Sequence, residues 1–174
     1  RLNNDHSVLA SETVRFTEFV RPIVDQFGSY EGGVVIETPD NDYDLEIDKL
    51  RIRLLITNLM NNAIRHGKAN LINVKVSFTK ESGIIEVKDN GEGISPEHLS
   101  QICEPFYRAD SSRQRNTGGF GLGLYLCRLI AEAHGGQLTI KSAVAMGTHI
   151  SVSLPRQAPK NKKHPQNQAE SLRL

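Results

Sequence analysis

Two pairs of segments in which apolar and polar residues alternate constrain the fold of this chain more than any other feature of its sequence. The first pair is LINVKVSF (71–78) and GIIEVKD (83–89), and the second is QLTIKSA (137–143) and THISVSLP (148–155). Apolar residues at every second position place one face of a strand against a core and leave the other face polar. Each pair therefore predicts a β-hairpin with one apolar face that a second layer must cover.

Segments with helical periodicity supply that second layer. FVRPIVDQF (19–27) repeats its apolar residues four apart, and Asp48 is a candidate N-cap for a helix that runs to about His66. A third helix is predicted over 120–136, where a glycine-rich start leads into a long apolar stretch closed by two glycines.

The remaining segments complete the predicted fold. VVIET (34–38) predicts a further strand, 39–48 predicts a loop, and PEHLSQIC (96–103) predicts a short helix. Paired strands with helices between the pairs indicate the α+β class. We expect a two-layer α/β sandwich, with a mixed sheet of about five strands covered on one face by about three helices.

Charge and composition divide the chain. Residues 156–174 carry five basic side chains against one acidic side chain, a net charge of +4, so the rest of the chain carries −3 out of a total of +1. We expect a linker or the end of an upstream helix over 1–13, one domain over 14–155, and a disordered basic tail over 156–174. No apolar run or leader predicts a membrane-spanning or export segment, and no basic face predicts nucleic-acid binding.

The helix that follows Asp48 carries an unusual polar stripe in NLMNNAIRHG (58–67). At 100° per residue, Asn58, Asn62 and Arg65 fall within about 60° of one another, beside the apolar face of the helix. Amide oxygens can ligate hydrated Mg²⁺, and a cation can neutralise phosphate. A solvated helix edge is the alternative, although Glu and Lys are more usual there because they are better helix formers than Asn.

Two glycine-containing segments are candidate ligand sites. DNGEGI places Asp89 at a strand end, followed by Gly91 and Gly93, where a carboxylate could accept a hydrogen bond from an exocyclic amine and glycines allow close approach to the backbone. An ordinary turn is the alternative. GGFGLGL (118–124) precedes a helix and predicts an anion site at the helix N-terminus, with a flexible hinge as the alternative. It matches neither a Walker loop nor a dinucleotide-binding fingerprint.

The acidic segment DNDYD (40–44) needs separate consideration because it fits the start of a calcium-binding loop. Leu45 stands where that loop requires glycine, and Arg51 stands where it requires a bidentate glutamate. The segment therefore predicts a solvated acidic turn.

The order of these segments carries a family resemblance. An Asn-bearing helix, then D-x-G-x-G, then PFYR (105–108), then the glycine-rich helix start resembles the catalytic ATP-binding domain of two-component sensor histidine kinases. These belong to the GHKL superfamily, shared with DNA gyrase and mismatch-repair ATPases, and the resemblance covers about residues 14–155. It implies the Bergerat ATP-binding fold, with ATP and Mg²⁺ as cofactors.

The resemblance also implies roles for individual residues. Asn62 corresponds to the Mg²⁺ ligand, Asn58 supports it one turn earlier, and Asp89 accepts a hydrogen bond from the adenine amine. Arg113 and Arg115 are two candidates to reach the γ-phosphate, and the sequence does not choose between them. The other residues that the resemblance assigns to ATP binding are Arg65, His66, Gly91, Gly93, Ile94, Phe106, Arg108, Gly119, Gly121, Leu122, Gly123, Leu124 and Thr148, with Gly147 beside the base pocket.

One departure within the superfamily bears on the reaction. Gyrase-type ATPases have a glutamate base one turn before the Mg²⁺-binding Asn, whereas Asn58 occupies that position here, and an amide cannot take a proton. The resemblance therefore implies transfer of the γ-phosphoryl group to an imidazole nitrogen rather than rapid hydrolysis. Catalytic roles fall on Asn58, Arg65, Arg113 and Arg115. The sequence context of His6 does not match a phosphoacceptor, and the resemblance assigns His66 to the ATP site, so we expect the phosphoacceptor histidine on a separate dimerisation domain upstream.

The implied partners are that dimerisation domain and the receiver domain of a response regulator. We expect a cytoplasmic portion of a membrane-anchored, homodimeric bacterial inner-membrane sensor, with no nucleic-acid partner. Two alternatives stay open: a GHKL-type protein serine kinase, and a degenerate domain that binds a response regulator without nucleotide.

Overall fold

The structure, a computed structural model, describes residues 8–67, 71–102 and 120–159. Its helices and strands follow in chain order: β1 (Ser11–Arg15), α1 (Phe16–Asp25), β2 (Val34–Glu37), β3 (Asp44–Asp48), α2 (Lys49–Gly67), β4 (Ile72–Phe78), β5 (Ser82–Asp89), α3 (Pro96–Leu99), α4 (Phe120–Ala133), β6 (Gln137–Ala143) and β7 (Gly147–Pro155).

The main sheet has five strands in the order β2-β4-β5-β7-β6. β2 runs parallel to β4, and every other pairing in this sheet is antiparallel, so the sheet is mixed as predicted. Both predicted hairpins are present, β4 with β5 and β6 with β7. Their alternating apolar residues, such as Val74, Ile85 and Val152, are buried on one face. The predicted α+β sandwich is thus confirmed.

The helical layer is built around α2, which packs against α1 on one side and α4 on the other and contacts β5 and β7 beneath it. Its predicted apolar face is buried, with Ile52, Ile56 and Leu59 fully inaccessible. Asp48 is the N-cap as predicted, because its Oδ1 accepts a hydrogen bond of 3.2 Å from the backbone N–H of Arg51. None of the helices in the described ranges is both long and apolar enough to cross a bilayer.

The interpretation of 39–48 as a loop is wrong for its second half. Residues Asp44–Asp48 form β3, which pairs antiparallel with β1 in a separate two-stranded sheet, with Val14 opposite Leu45. β1 begins at Ser11, inside the segment predicted to be a linker, while the domain boundary itself stays a prediction. The partners lie about thirty residues apart, and a local pattern carries no information on such a pairing.

Candidate functional site

Asp89 ends β5 as a buried carboxylate with few protein donors. Asp89 is only 5% exposed, and its Oδ1 accepts a hydrogen bond of 2.9 Å from the backbone N–H of Gly91. Burial raises the pKa of Asp89, although the backbone N–H groups of Gly91 and Thr148 act in the opposite direction. A carboxylate has about four lone-pair sites, so Asp89 retains capacity to accept a hydrogen bond from a ligand.

Two glycines allow the loops around Asp89 to pack backbone against backbone. Gly93 has φ of +72° and Gly147 has φ of +85°, and residues that carry a side chain rarely adopt such positive values. A Cβ on Gly93 would overlap the carbonyl oxygen of Ala143, and a Cβ on Gly147 would overlap that of Asp89. The backbone conformation at position 93 therefore requires glycine, while close approach of a ligand to Gly93 stays a prediction.

Ser142 joins these loops and was not among the predicted site residues. Its Oγ accepts a hydrogen bond of 2.8 Å from the backbone N–H of Ile94, lies 2.9 Å from the carbonyl oxygen of Gly147, and lies 2.8 Å from Oγ1 of Thr148. A signal was present in the sequence, because Ser142 is a polar residue in register with the apolar positions Leu138 and Ile140 of β6.

The predicted base-pocket residues are thus brought together. Asp89 pairs directly with Thr148 across β5 and β7, Gly91 donates to Asp89, and Ile94 is tied to Ser142. Thr148 is 7% exposed, so a hydroxyl and a carboxylate lie side by side in a largely buried position. Such a site can recognise a small planar ligand that carries hydrogen-bond donors.

The polar stripe of α2 lies at the edge of the buried face, as the helical wheel predicts. Asn58 and Asn62 are half-buried, and Arg65 is exposed. The same helix contacts β5, the strand that carries Asp89 at its end. Half-buried amides with a nearby cation are a donor set suited to hydrated Mg²⁺ bound to phosphate, since both the amide oxygen and the ion's waters take part.

The glycine-rich segment leads into α4, which begins at Phe120. Gly121, Leu122 and Gly123 lie in its first turn, where backbone N–H groups are free of helix partners. A Cβ on Gly123 would meet no atom within 4 Å among the described residues, whereas Leu124 is 1% exposed and packs in the core. This region is suited to anion binding by backbone groups.

Several predicted site residues lie outside what the structure describes. They are the side chains of His66 and Leu122 and the residues Phe106, Arg108, Arg113, Arg115 and Gly119. Their assignments stay predictions.

A cavity of about 480 Å³ opens on the other face of the sheet. Its lining includes Lys75 and Lys88 together with Glu37, Glu86 and His149. His149 Nε2 lies 2.9 Å from Glu86 Oε1, so part of this lining is already paired within the protein. Asp89 and Asn90 also belong to this lining, at the end of β5, and the mixed charges select no ligand class.

Comparison with known proteins agrees with this arrangement. Residues 47–158 match the family described as "Histidine kinase-, DNA gyrase B-, and HSP90-like ATPase". Sensor protein SrrB of Staphylococcus aureus is 38% identical over 115 residues, which are 66% of this chain and 19% of SrrB. This chain therefore spans about a fifth of the length of the curated relatives it matches.

Solved structures show the same fold. The catalytic domain of histidine kinase ThkA superposes with a TM-score of 0.70 at 24% identity, over 84% of this chain and 96% of that domain. Full-length ShkA in complex with AMPPNP superposes with a TM-score of 0.70 at 21% identity, over 87% of this chain and 32% of ShkA. The chain therefore belongs to the histidine kinase-, DNA gyrase B- and HSP90-like ATPase family and has the fold of a histidine kinase catalytic domain.

Proposed function

We propose that this chain binds MgATP and donates the γ-phosphoryl group to a histidine on a separate dimerisation domain. The observation that carries the proposal is the buried pair Asp89 and Thr148, held side by side between two glycine-dependent loops. An adenine amine can donate further hydrogen bonds to the oxygen atoms of these two side chains. Family membership and the fit of the fold to histidine kinase catalytic domains support the same conclusion.

The polar stripe of α2 fits the phosphate end of the nucleotide. Asn62 would hold Mg²⁺ through its amide oxygen, with Asn58 beside it and Arg65 facing the phosphates. When bound, the ion would neutralise charge on the β- and γ-phosphates. Backbone N–H groups in the first turn of α4 would bind the remaining phosphate oxygens.

The same stripe argues against water as the acceptor. Asn58 occupies the helix position where a hydrolytic relative carries a glutamate base, and an amide cannot accept the proton of an attacking water. A neutral imidazole nitrogen needs no such base, because its lone pair attacks phosphorus directly. This difference favours phosphohistidine as the product.

The proposed partners follow from that chemistry. The phosphoacceptor lies on the protein's own dimerisation domain, upstream of this chain, and the phosphoryl group then passes to a response-regulator receiver domain. We propose that the whole protein is a membrane-anchored homodimer and that this domain works on its cytoplasmic side. The length of SrrB beyond the matched region leaves room for such segments.

Calorimetric titration of MgATP and MgADP tests the first step. We expect the parent chain to bind both, and Asp89→Asn to bind at least about tenfold more weakly, because a hydrogen bond to a charged acceptor is lost. Ser151→Ala is a matched control, since Ser151 lies on the outer face of β7, opposite Glu86. Phosphate release, followed in parallel, should be slow.

Adding the dimerisation domain in trans tests the second step. Acid-labile, base-stable phosphate on that domain would support phosphohistidine. Phosphate on a serine would favour the serine-kinase alternative, and brisk phosphate release would mean that water is the acceptor. A parent chain that binds no nucleotide would contradict the proposal and favour a degenerate domain.

A further inference from the structure

The hydroxyl of Ser142 lies at the centre of three polar groups. The Ile94 N–H donates to Oγ at 2.8 Å, the Gly147 carbonyl oxygen is 2.9 Å away, and Thr148 Oγ1 is 2.8 Å away. A serine hydroxyl has one proton to donate and two lone pairs to accept with. Ser142 can therefore donate to Gly147 or to Thr148, but not fully to both.

The Ser142 O–H can point in two directions, and one of them satisfies more hydrogen-bonding groups. If Ser142 donates to the Gly147 carbonyl, its second lone pair accepts the Thr148 O–H, and all three neighbours of Ser142 are satisfied. If Ser142 donates to Thr148 instead, the Gly147 carbonyl loses that donor. Gly147 and Thr148 are both buried, and an unpaired buried polar group costs about 1–3 kcal/mol. The first arrangement is therefore the favoured one.

This arrangement sets what Thr148 presents to a ligand. With its proton directed at Ser142, Thr148 Oγ1 offers only lone pairs to the pocket. Thr148 lies directly opposite Asp89 in the β5–β7 register, and side chains so paired are about 5 Å apart at Cβ. The pocket thus presents two neighbouring acceptors, and an exocyclic amine has two N–H groups to match them.

We propose that Ser142 is a specificity-determining positioning residue, which holds the Thr148 hydroxyl as an acceptor so that the pocket selects a purine with a 6-amine over one with a 6-carbonyl. The inference rests on the proposed nucleotide binding and adds the group that sets base selectivity. A carbonyl in place of the amine would face two acceptors with no hydrogen between them. Without Ser142, the Thr148 O–H could rotate and donate to that carbonyl.

The test compares ADP with inosine diphosphate, which carries the same ribose and phosphates but a 6-carbonyl. We expect the parent chain to prefer ADP, and Ser142→Ala to reduce the ratio of the two affinities about tenfold, mainly through tighter binding of inosine diphosphate. Ser142→Thr keeps the hydroxyl and should keep the ratio. Ser151→Ala, on the outer face of β7, is the control.

A double variant separates positioning from general damage. Thr148→Val should also lower the ratio, and adding Ser142→Ala to it should lower the ratio no further, because Ser142 acts through Thr148. A structural defect would weaken both nucleotides equally and leave the ratio unchanged. If Ser142→Ala does not fold, Ser142→Cys, a weak donor and acceptor of similar size, should show the same fall in the ratio.

The outcomes distinguish a failure of nucleotide binding from a failure of the role proposed for Ser142. A parent chain that binds neither nucleotide would overturn the proposed function and this inference with it. A parent that prefers ADP, together with a Ser142→Ala or Ser142→Cys variant of unchanged ratio, would overturn the inference alone. A further fall in the double variant would also overturn it, since Ser142 would then act independently of Thr148.

Discussion

His134 Nε2 accepts a hydrogen bond of 3.0 Å from the backbone N–H of Asp48, a residue 86 positions earlier in the chain. Nε2 is therefore unprotonated, and Nδ1 carries the proton that it donates to the Ile130 carbonyl at 2.8 Å. Both ring nitrogens of this residue, only 1% exposed, are thus used. The bond ties the segment that follows α4 to the N-terminus of α2, the helix that carries Asn58 and Asn62.

This bond predicts a pH-dependent stability. Burial lowers the pKa of His134 below its ordinary 6.5, and Arg51 acts in the same direction, while the Ile130 carbonyl and Asp48 oppose it. The unfolded chain therefore binds the proton more readily, so this contribution is present above about pH 6.5 and is lost as pH falls below it. Urea unfolding should show an unfolding free energy that falls from pH 8 to pH 5, with at most about 1.4 kcal/mol per pH unit from this histidine.

His134→Gln is the matched comparison, because it can keep an acceptor for Asp48 and removes the titration. We expect the unfolding free energy of this variant to vary less with pH than that of the parent. All other histidines are the same in the two proteins, so the difference between the two curves reports on His134. Parallel pH curves for the two proteins would contradict this assignment.

Asp42 predicts a second stability effect, at the start of α1. Oδ1 accepts from the backbone N–H groups of Thr17 and Tyr43, each at 2.9 Å, and Oδ2 accepts from that of Glu18 at 3.2 Å. Asp42 thus caps a helix from a distant loop. Burial alone would raise the pKa of Asp42, but these N–H donors lower it below its ordinary value.

We expect Asp42→Ala to lower the unfolding free energy by about 1–2 kcal/mol, as loss of an N-cap does. The exposed Asp40→Ala is the control and should stay within about 0.5 kcal/mol of the parent. Calcium should not raise the melting temperature of either protein, because Leu45 stands where a calcium loop requires glycine and Arg51 stands where it requires the bidentate glutamate. Equal effects of the two substitutions would exclude the capping role.

Glycine substitutions should separate folding from binding. Gly147→Ala places a Cβ against the Asp89 carbonyl at a φ of +85°, so we expect a loss of several kcal/mol in denaturant unfolding. Gly123→Ala meets open space inside a helix and should stabilise α4 by up to about 1 kcal/mol. Its added methyl should nevertheless weaken MgADP binding if phosphates approach that turn. Unchanged affinity would remove Gly123 from the phosphate site.

The ionised Asp89 carboxylate should lower the stability of the empty fold, although it is the group proposed to bind the ligand. Because burial raises its pKa above the ordinary 3.8, its contribution to stability is present below that pH and declines as pH rises and the buried carboxylate ionises. Asp89→Asn does not ionise. The unfolding free energy of the parent minus that of the variant should therefore fall as pH rises above about 4. A difference that rises over this range would show that the ionised carboxylate stabilises the empty fold.

The local sequence pattern determined several strands, the start of α2 and some of the candidate site residues. Alternation in 71–78 and 83–89 predicts β4, β5 and their buried face, and Asp48 predicts the start of α2, because both signals act between neighbours in the chain. The requirement for glycine at Gly93 was also predictable, since it depends on backbone conformation. Asp89 was identified by its position at a strand end.

Tertiary structure alone decided the long-range relationships. Three of them join residues between 24 and 86 positions apart in the chain: the β1–β3 sheet, the His134 bond to Asp48, and the cap of α1 by Asp42. Ser142 acquires its role only when β6 pairs with β7 and the loop after β5 folds onto it. A serine in a strand has the same local propensity whether it faces solvent or three polar groups, so only the fold distinguishes the two.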